Sequence, residues 1–219
     1  LHLCSSSLLS ILSPVMGLGA VSPLMDTRRP GLTEPAQIFE LLEDLGPRVF
    51  SGSPALFERL AEVVVRAETS LSTLEHLFVM GAQLRADVWD VLRARLDERA
   101  EIRIGYGTAE CPIIAQLSGS DRLELDKQDR EEAQRSQCLG RPLSALELCL
   151  VDPDGGAPGD SDVALPSGAT GAIWIRGFPV CPTESGWHRT GDLGFLDSEG
   201  LLWFCGEESD RVRTRDFTL

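Results

Sequence analysis

Lysine is almost absent from this chain of 219 residues. Of its 20 basic residues, Lys127 is the one lysine. Chemistry that requires a lysine therefore has one candidate. Lys127 lies in a run of mixed charge over residues 121–135, which is typical of a solvated surface segment. The 34 acidic residues give a net charge of −14. Because a phosphate backbone requires a basic face, this charge argues against a nucleic-acid partner.

The chain also lacks paired cysteines, zinc-ligand spacings and long apolar runs. No Cys-x-x-Cys pair occurs among its six cysteines, which favours free, buried thiols in a reducing compartment such as the cytoplasm. The three histidines have no ligand spacing with them, and a closed zinc site needs about four ligands. Serines and Pro14 interrupt the apolar stretch 1–25 short of the ~20 residues of a membrane span. We expect a buried strand or helix there, in a chain that begins within a domain.

The first half of the chain predicts strands alternating with helices, as in a parallel α/β layer. Thr33 is the predicted cap of a first helix, which Gly46 and Pro47 end. Ser53 and Pro54 begin a second helix. The remaining elements are strands at 48–51, 74–79 and 102–104, and a third helix at 87–96.

The second half is rich in predicted strands, at 146–151 and 173–176 and in a hairpin over 195–204 that turns at Asp-Ser-Glu-Gly. The sequence thus predicts an α/β protein in four parts. They are a partial α/β subdomain (1–117), a charged connector (118–137), a small β-rich, barrel-like subdomain (138–206) and the start of a hinge (207–219).

Candidate binding residues lie where predicted strands end. Ligands of open parallel sheets bind at the carboxyl ends of strands, and Gly81 and Tyr106 lie at two such ends. Tyr106 offers a stacking face, and Glu110 offers a hard oxygen ligand for a divalent cation. Asp192, in a Thr-Gly-Asp turn, is either an Asx-turn residue or an acceptor for ribose hydroxyls. Taken singly, each segment is equally typical of ordinary turns.

Taken in order, these segments and their neighbours form a specific pattern that spans most of the chain. It comprises Ser51-Gly52-Ser53-Pro54, Gly81-Ala82, Tyr106-Gly107-x-x-Glu110, residues 171–177, Trp187-His188-Arg189-Thr190-Gly191-Asp192 and Asp197-x-x-Gly200-x-x-x-Phe204-x-Gly206. The pattern resembles the acyl-adenylate-forming superfamily of acyl-CoA synthetases, adenylation domains and luciferases. Within it, the chain is most similar to the β-lactone synthetases of bacterial olefin biosynthesis, and long-chain fatty acyl-CoA ligases share the same skeleton.

The resemblance implies roles for eight residues and a reaction. The adenine wall would comprise Gly81, Ala82 and Gln83. Tyr106 would stack on adenine with Gly107 and Thr108 beside the nucleotide, Glu110 would bind Mg²⁺, and Asp192 would accept hydrogen bonds from the ribose. Such enzymes use Mg-ATP to convert a carboxylic acid, here a fatty or β-hydroxy fatty acid, into an acyl-AMP. A thiol such as that of CoA, or an internal β-hydroxyl, then displaces AMP.

The chain departs from the superfamily pattern at two positions. Thr108 and Ala109 precede Glu110 where the superfamily has x-Thr, and Glu207 follows Gly206 where it has an arginine. A phosphate loop ending in Lys-Gly is expected before residue 1, and a lysine-bearing lid after residue 219. Two hypotheses follow. The chain is part of a ligase and is inactive alone, or it is a non-catalytic remnant that binds nucleotide weakly or offers a partner surface.

Overall fold

A computed structural model describes residues 1–26, 29–127, 137–159 and 165–211. Two compact units divide the chain, Leu1–Gly105 and Tyr106–Leu219, and each is described by itself. The division falls inside a strand rather than in a linker. The four-part subdivision of the sequence stays a prediction.

The first unit contains a parallel sheet, as its alternating strands and helices predict. The strand order is β2-β1-β3-β4-β5, and every pair within it is parallel. The strands are β1 (His2–Cys4), β2 (Ala20–Val21), β3 (Val49–Gly52), β4 (His76–Met80) and β5 (Glu101–Tyr106). Because parallel strands need crossovers, helices lie between them in the chain. The helices are α1 (Ser7–Val15), α2 (Pro35–Leu45), α3 (Pro54–Arg66) and α4 (Ala86–Arg93).

Proline and glycine set the helix boundaries of this unit. Pro35 and Pro54 occupy first-turn positions, where a missing N–H costs nothing and the fixed φ suits a helix. Gly46 ends α2 in the left-handed conformation, with φ of +51°. The predicted capping role of Thr33 is wrong. Because α2 begins at Pro35, Thr33 lies one residue outside the cap position, and its buried hydroxyl oxygen makes no hydrogen bond.

The apolar faces of the helices and sheet form the core of the first unit. Its largest fully buried side chains include Phe50 and Phe57, whose rings lie 4.9 Å apart, and Leu60 of α3. The apolar stretch near the start of the chain, predicted to be a buried strand or helix, is buried in β1 but leaves part of α1 uncovered. Ile11 and Val15 of α1 are 70% and 83% exposed.

The second unit contains an antiparallel sheet in the order β6-β7-β11-β10-β9-β8. The strands are β6 (Ala115–Ser118), β7 (Gln137–Pro142), β8 (Leu146–Val151), β9 (Gly171–Gly177), β10 (His188–Leu196) and β11 (Leu202–Glu207). Strands β10 and β11 form the predicted hairpin around residues 197–201. The β-rich second half is therefore confirmed. The mixed-charge run forms α5 (Gly119–Lys127) at its start, and residues 128–135 of the run lie outside the described residues.

A large buried cluster of apolar residues stabilises this sheet, beside a smaller one around Trp174. The members of the large cluster come from several strands and from the loop before β6, and they include Cys111, Ile114, Leu139, Ile173 and Leu202. Asp197 holds the β10–β11 turn, because its Oδ1 accepts the N–H groups of Glu199 and Leu201 at 2.9 Å each. Its Oδ2 accepts the indole N–H of Trp203 at 2.9 Å.

The expectation that all cysteines are buried is partly wrong. The described residues include all six cysteines, and none of these forms a disulfide. Four are buried, whereas Cys181 and Cys205 are exposed. Cys205 lies at an outward-facing position of β11, and Cys181 lies in the segment between β9 and β10, so their apolar neighbours in the sequence do not predict burial. Among the described residues, no helix is both long and apolar enough to cross a membrane.

Candidate functional site

The carboxyl end of β4 is open and glycine-dependent. Met80, the last residue of β4, pairs with Gly105 of β5, and Gly81 follows it with φ of +96°. That conformation is strained for other residues, and no atom lies within 4 Å of the place where a Cβ would stand. Gly81, Ala82 and Gln83 are all exposed. Backbone at this strand end is therefore accessible to a ligand.

A tight turn follows β5 and contains the candidate residues Gly107 and Thr108. The N–H of Thr108 donates to the carbonyl of Cys111 at 2.9 Å, and the N–H of Ile114 donates to the carbonyl of Tyr106 at 2.6 Å. The turn packs directly over Gly107, where a Cβ would lie 2.2 Å from the carbonyl oxygen of Pro112. Only glycine fits here, so this residue is required by the turn itself.

The Thr-Gly-Asp segment is an irregular part of β10. Pairing with β9 shifts register between Arg189 and Leu193, and Gly191 has φ of +86°. The Thr190 hydroxyl donates to the carbonyl of Ile173 at 3.1 Å and accepts the N–H of Asp192 at 3.1 Å. The side chain that bonds to the local backbone here is that of Thr190, whereas the Asx-turn interpretation requires that of Asp192, so the carboxylate of Asp192 stays available for other partners.

Tyr106 and Asp192 meet, although 86 residues separate them in the chain. The Tyr106 hydroxyl donates to Oδ2 of Asp192 at 2.5 Å. Burial, followed by this hydrogen bond to a carboxylate, raises the pKa of Tyr106, so the phenol stays protonated. Burial also raises the pKa of Asp192, while the Tyr106 hydrogen bond opposes that rise and the carboxylates of Glu207 and Glu208 add to it. Asp192 is thus an acceptor whose ionised form depends on its donor.

Glu110 lies at the tip of the same turn. Its carboxylate lies 3.5 Å from Nε2 of His188, and its carbonyl accepts the N–H of Cys181 at 2.9 Å. Its own backbone N–H, then the nearby Thr108 hydroxyl, lowers the pKa of Glu110. The Thr108 hydroxyl oxygen is buried and makes no hydrogen bond of good geometry. Glu110 is therefore a half-exposed, ionised carboxylate beside His188.

Two further carboxylates, those of Glu207 and Glu208, act on Asp192. Glu207 of β11 is its cross-strand partner and is exposed. Glu208 is compensated by Arg189, whose NH2 lies 2.8 Å from its carboxylate and also donates to the carbonyl of Pro153 at 2.6 Å. These contacts direct Arg189 to Glu208 rather than to Glu207, whose negative charge lies beside Asp192.

Within the second unit, Tyr106 contacts Asp192, and Glu110, another residue that the sequence selected, lies beside His188 of the same strand, β10. Sequence reasoning missed the pairing of Tyr106 with Asp192 and of Glu110 with His188. Neither has a local signal, because each joins the turn after β5 to the distant strand β10. The other predicted contacts, at Gly81, Ala82 and Gln83, lie in the first unit. Their roles, like those of Gly107 and Thr108, stay predictions.

The donor set limits how a metal could bind. Among the described residues, no group of three or more His, Cys, Asp or Glu side chains could hold an ion. Mg²⁺ is commonly held by one or two carboxylates together with water and substrate phosphates. Glu110 fits that type of site, in which the protein supplies one hard oxygen and a nucleotide supplies others.

A parallel α/β layer and an antiparallel sheet define the fold of the chain. They match the domains of adenylate-forming enzymes, as solved structures show. The unliganded O-succinylbenzoate coenzyme A synthetase of Bacillus subtilis superposes with a TM-score of 0.74 at 18% identity, over 100% of this chain and 46% of that one. The same enzyme bound to ATP and a magnesium ion gives a TM-score of 0.72.

Sequence comparison gives the family. Residues 3–182 match the AMP-binding enzyme family, and the chain belongs to it. Relatives include the olefin β-lactone synthetases of Stenotrophomonas maltophilia, 29% identical, and of Xanthomonas campestris pv. campestris, 30% identical. Both alignments cover 94% of this chain and 40% of the relative. The chain thus spans about two fifths of the length of these relatives.

Proposed function

We propose that the chain is part of an acyl-adenylate-forming ligase that activates a carboxylic acid with Mg-ATP. The substrate is a fatty or β-hydroxy fatty acid, and the acyl-AMP serves thioester or β-lactone formation. The observation that carries this proposal is the cluster formed by the turn after β5 and by β10, in which Tyr106 contacts Asp192 and Glu110 lies beside His188. The similarity to olefin β-lactone synthetases supports the choice of substrate.

Each member of the cluster has a role that its chemistry suits. The ring of Tyr106 offers a flat face to the adenine base. The ionised carboxylate of Asp192 accepts hydrogen bonds from the ribose hydroxyls, and such charge-assisted bonds are the stronger kind. Glu110 supplies a hard oxygen to Mg²⁺, which when bound neutralises charge on the nucleotide phosphates.

The single lysine of this chain bears on whether it can carry out adenylation alone. The superfamily uses lysines for phosphate contact and for adenylation, and Lys127 is the one lysine of this chain. It stands at the end of α5, next to charged residues and far in sequence from the cluster. We therefore expect the 219 residues alone to bind nucleotide without turning it over.

A specific observation favours a second candidate, a remnant without catalytic function. Glu207 pairs across the strands with Asp192, so a negative charge faces the place proposed for a polyanionic nucleotide. This repulsion and the changed order of Thr108 and Ala109 would both weaken binding. In that case the chain folds and serves as a partner surface or binds nucleotide only weakly.

Titration of the chain with AMP, followed by calorimetry, tests the proposal. We expect saturable binding that Asp192→Ala abolishes. The matched control is Asp90→Ala, which removes the same charge from an exposed position on α4 and should leave binding unchanged. Equal loss in both variants would show a general effect of charge or folding, and absence of binding in the unaltered chain would favour the remnant.

Pyrophosphate exchange tests the expected lack of turnover. The chain alone, supplied with ATP, Mg²⁺ and a fatty or β-hydroxy fatty acid, should give no exchange above background. Robust exchange would contradict the assignment of the adenylation lysine to a part of the protein outside these residues.

A further inference from the structure

The hydroxyl of Tyr106 has a partner that stacking on a base does not require. Stacking uses the ring face, and phenylalanine would provide it equally well. The hydroxyl instead donates to Oδ2 of Asp192 at 2.5 Å, from a side chain that is partly buried. A hydroxyl aimed at one oxygen of a carboxylate leaves the other oxygen for a ligand.

The backbone of Asp192 is held by a second contact. Its N–H donates to the Thr190 hydroxyl at 3.1 Å, which donates in turn to the carbonyl of Ile173 at 3.1 Å. Two hydrogen bonds from different elements thus fix the carboxylate, one at the main chain and one at the side chain. A carboxylate fixed in this way loses less rotamer freedom when a ligand binds.

The charge state of Asp192 depends on the same contact. Burial and the carboxylates of Glu207 and Glu208 favour its neutral form, whereas the Tyr106 hydroxyl favours the ionised form. Arg189 faces Glu208 rather than Asp192 in the ion pair described above. Among these groups, the Tyr106 hydroxyl is the one that favours the ionised form of Asp192, which accepts hydrogen bonds.

We infer that Tyr106 is a positioning residue whose hydroxyl orients the Asp192 carboxylate toward the two ribose hydroxyls of the nucleotide. This inference rests on the proposed function, since it assigns Asp192 to the ribose. It adds that Tyr106 determines specificity for the ribose as well as contacting the base.

A thermodynamic cycle tests the inference. Kd is measured by calorimetry for AMP and for 2′,3′-dideoxy-AMP, which lacks both ribose hydroxyls, with the unaltered chain and with Tyr106→Phe. We expect the unaltered chain to prefer AMP by at least about tenfold, the value of one hydrogen bond to a charged group. In Tyr106→Phe we expect that preference to fall to near unity, while the affinity for 2′,3′-dideoxy-AMP is unchanged.

The outcomes separate this inference from the proposed function. An unchanged preference in Tyr106→Phe would overturn the positioning role while leaving the nucleotide site intact. Equal weakening of both ligands would assign to Tyr106 a structural or stacking role alone and would also overturn it. Failure of the unaltered chain to bind AMP would instead refute the proposed function.

A second measurement needs no ligand. The pKa of Asp192 is followed through its carboxyl-carbon NMR shift in the unaltered chain and in Tyr106→Phe. Because the lost hydrogen bond stabilises the ionised form, the pKa should rise in the variant. An unchanged pKa would show that the hydroxyl does not act on Asp192 and would overturn the inference whatever the binding data.

Discussion

Replacing Gly107 with alanine should destabilise the turn that holds Glu110. A Cβ at this position would lie 2.2 Å from the carbonyl oxygen and 2.4 Å from the carbonyl carbon of Pro112. Ordinary contact begins at 3.4 Å, so the backbone over Gly107 must move by more than an ångström. The contacting atoms are backbone, which cannot rotate away as a flexible side chain could.

The cost follows from what that movement disturbs. Cys111 and Ile114, in the same turn, are fully buried in the core of the second unit. Forcing extra volume into such a packed region typically costs about 1–3 kcal/mol, and a clash with backbone belongs at the upper end. With an m-value of about 2 kcal/mol per molar urea, the midpoint of unfolding should fall by about 1.5 M.

Urea unfolding followed by tryptophan fluorescence measures this effect, since three of the four tryptophans lie in the second unit. Gly105→Ala is the matched control for stability. It adds the same methyl group two residues earlier, where the nearest atom would lie at 3.8 Å, an ordinary contact. Equal midpoints for the two variants would refute the close approach of the turn to Gly107.

Three further outcomes are expected. Glu207→Arg should tighten AMP binding by about fivefold at low salt, because it replaces a like charge near the phosphates, and high salt should reduce the gain; weaker or salt-independent binding would contradict this. AMP affinity should fall as the pH drops through the pKa of Asp192, which burial raises above its usual value of 3.8. The reason is that only the ionised carboxylate accepts hydrogen bonds from both ribose hydroxyls. A loss of affinity that begins only below pH 3.8 would argue against Asp192. A thiol reagent should modify Cys181 and Cys205 in the folded chain and the other four cysteines only after unfolding; fast modification of all six would contradict their burial.

Local chemistry determined how much of the fold the sequence could predict. Pro35, Pro54 and Gly46 act on their own backbone, so the helix boundaries they set can be read directly. Asp197 and Gly200 likewise specify the hairpin turn. Thr33 misled because threonine is preferred at the cap position, whereas Pro35 takes the first helical position and makes Glu34 the cap residue.

The site could be predicted only as separate parts. The order of motifs identified Tyr106, Glu110 and Asp192, but no periodicity in the sequence shows that the hydroxyl of Tyr106 reaches a carboxylate 86 residues away. Such pairings depend on how β10 shifts register near Gly191. The prediction that all cysteines are buried failed for a related reason, since apolar neighbours in the sequence do not determine which side of a strand or turn faces solvent.

A crystal structure of the chain with AMP and Mg²⁺ would show whether Tyr106, Glu110 and Asp192 form a nucleotide site. We expect adenine against the ring of Tyr106, ribose hydroxyls within hydrogen-bond distance of the Asp192 carboxylate, and the ion on the Glu110 side of the phosphates. AMP bound elsewhere, or bound with its ribose turned away from Asp192, would contradict this expectation.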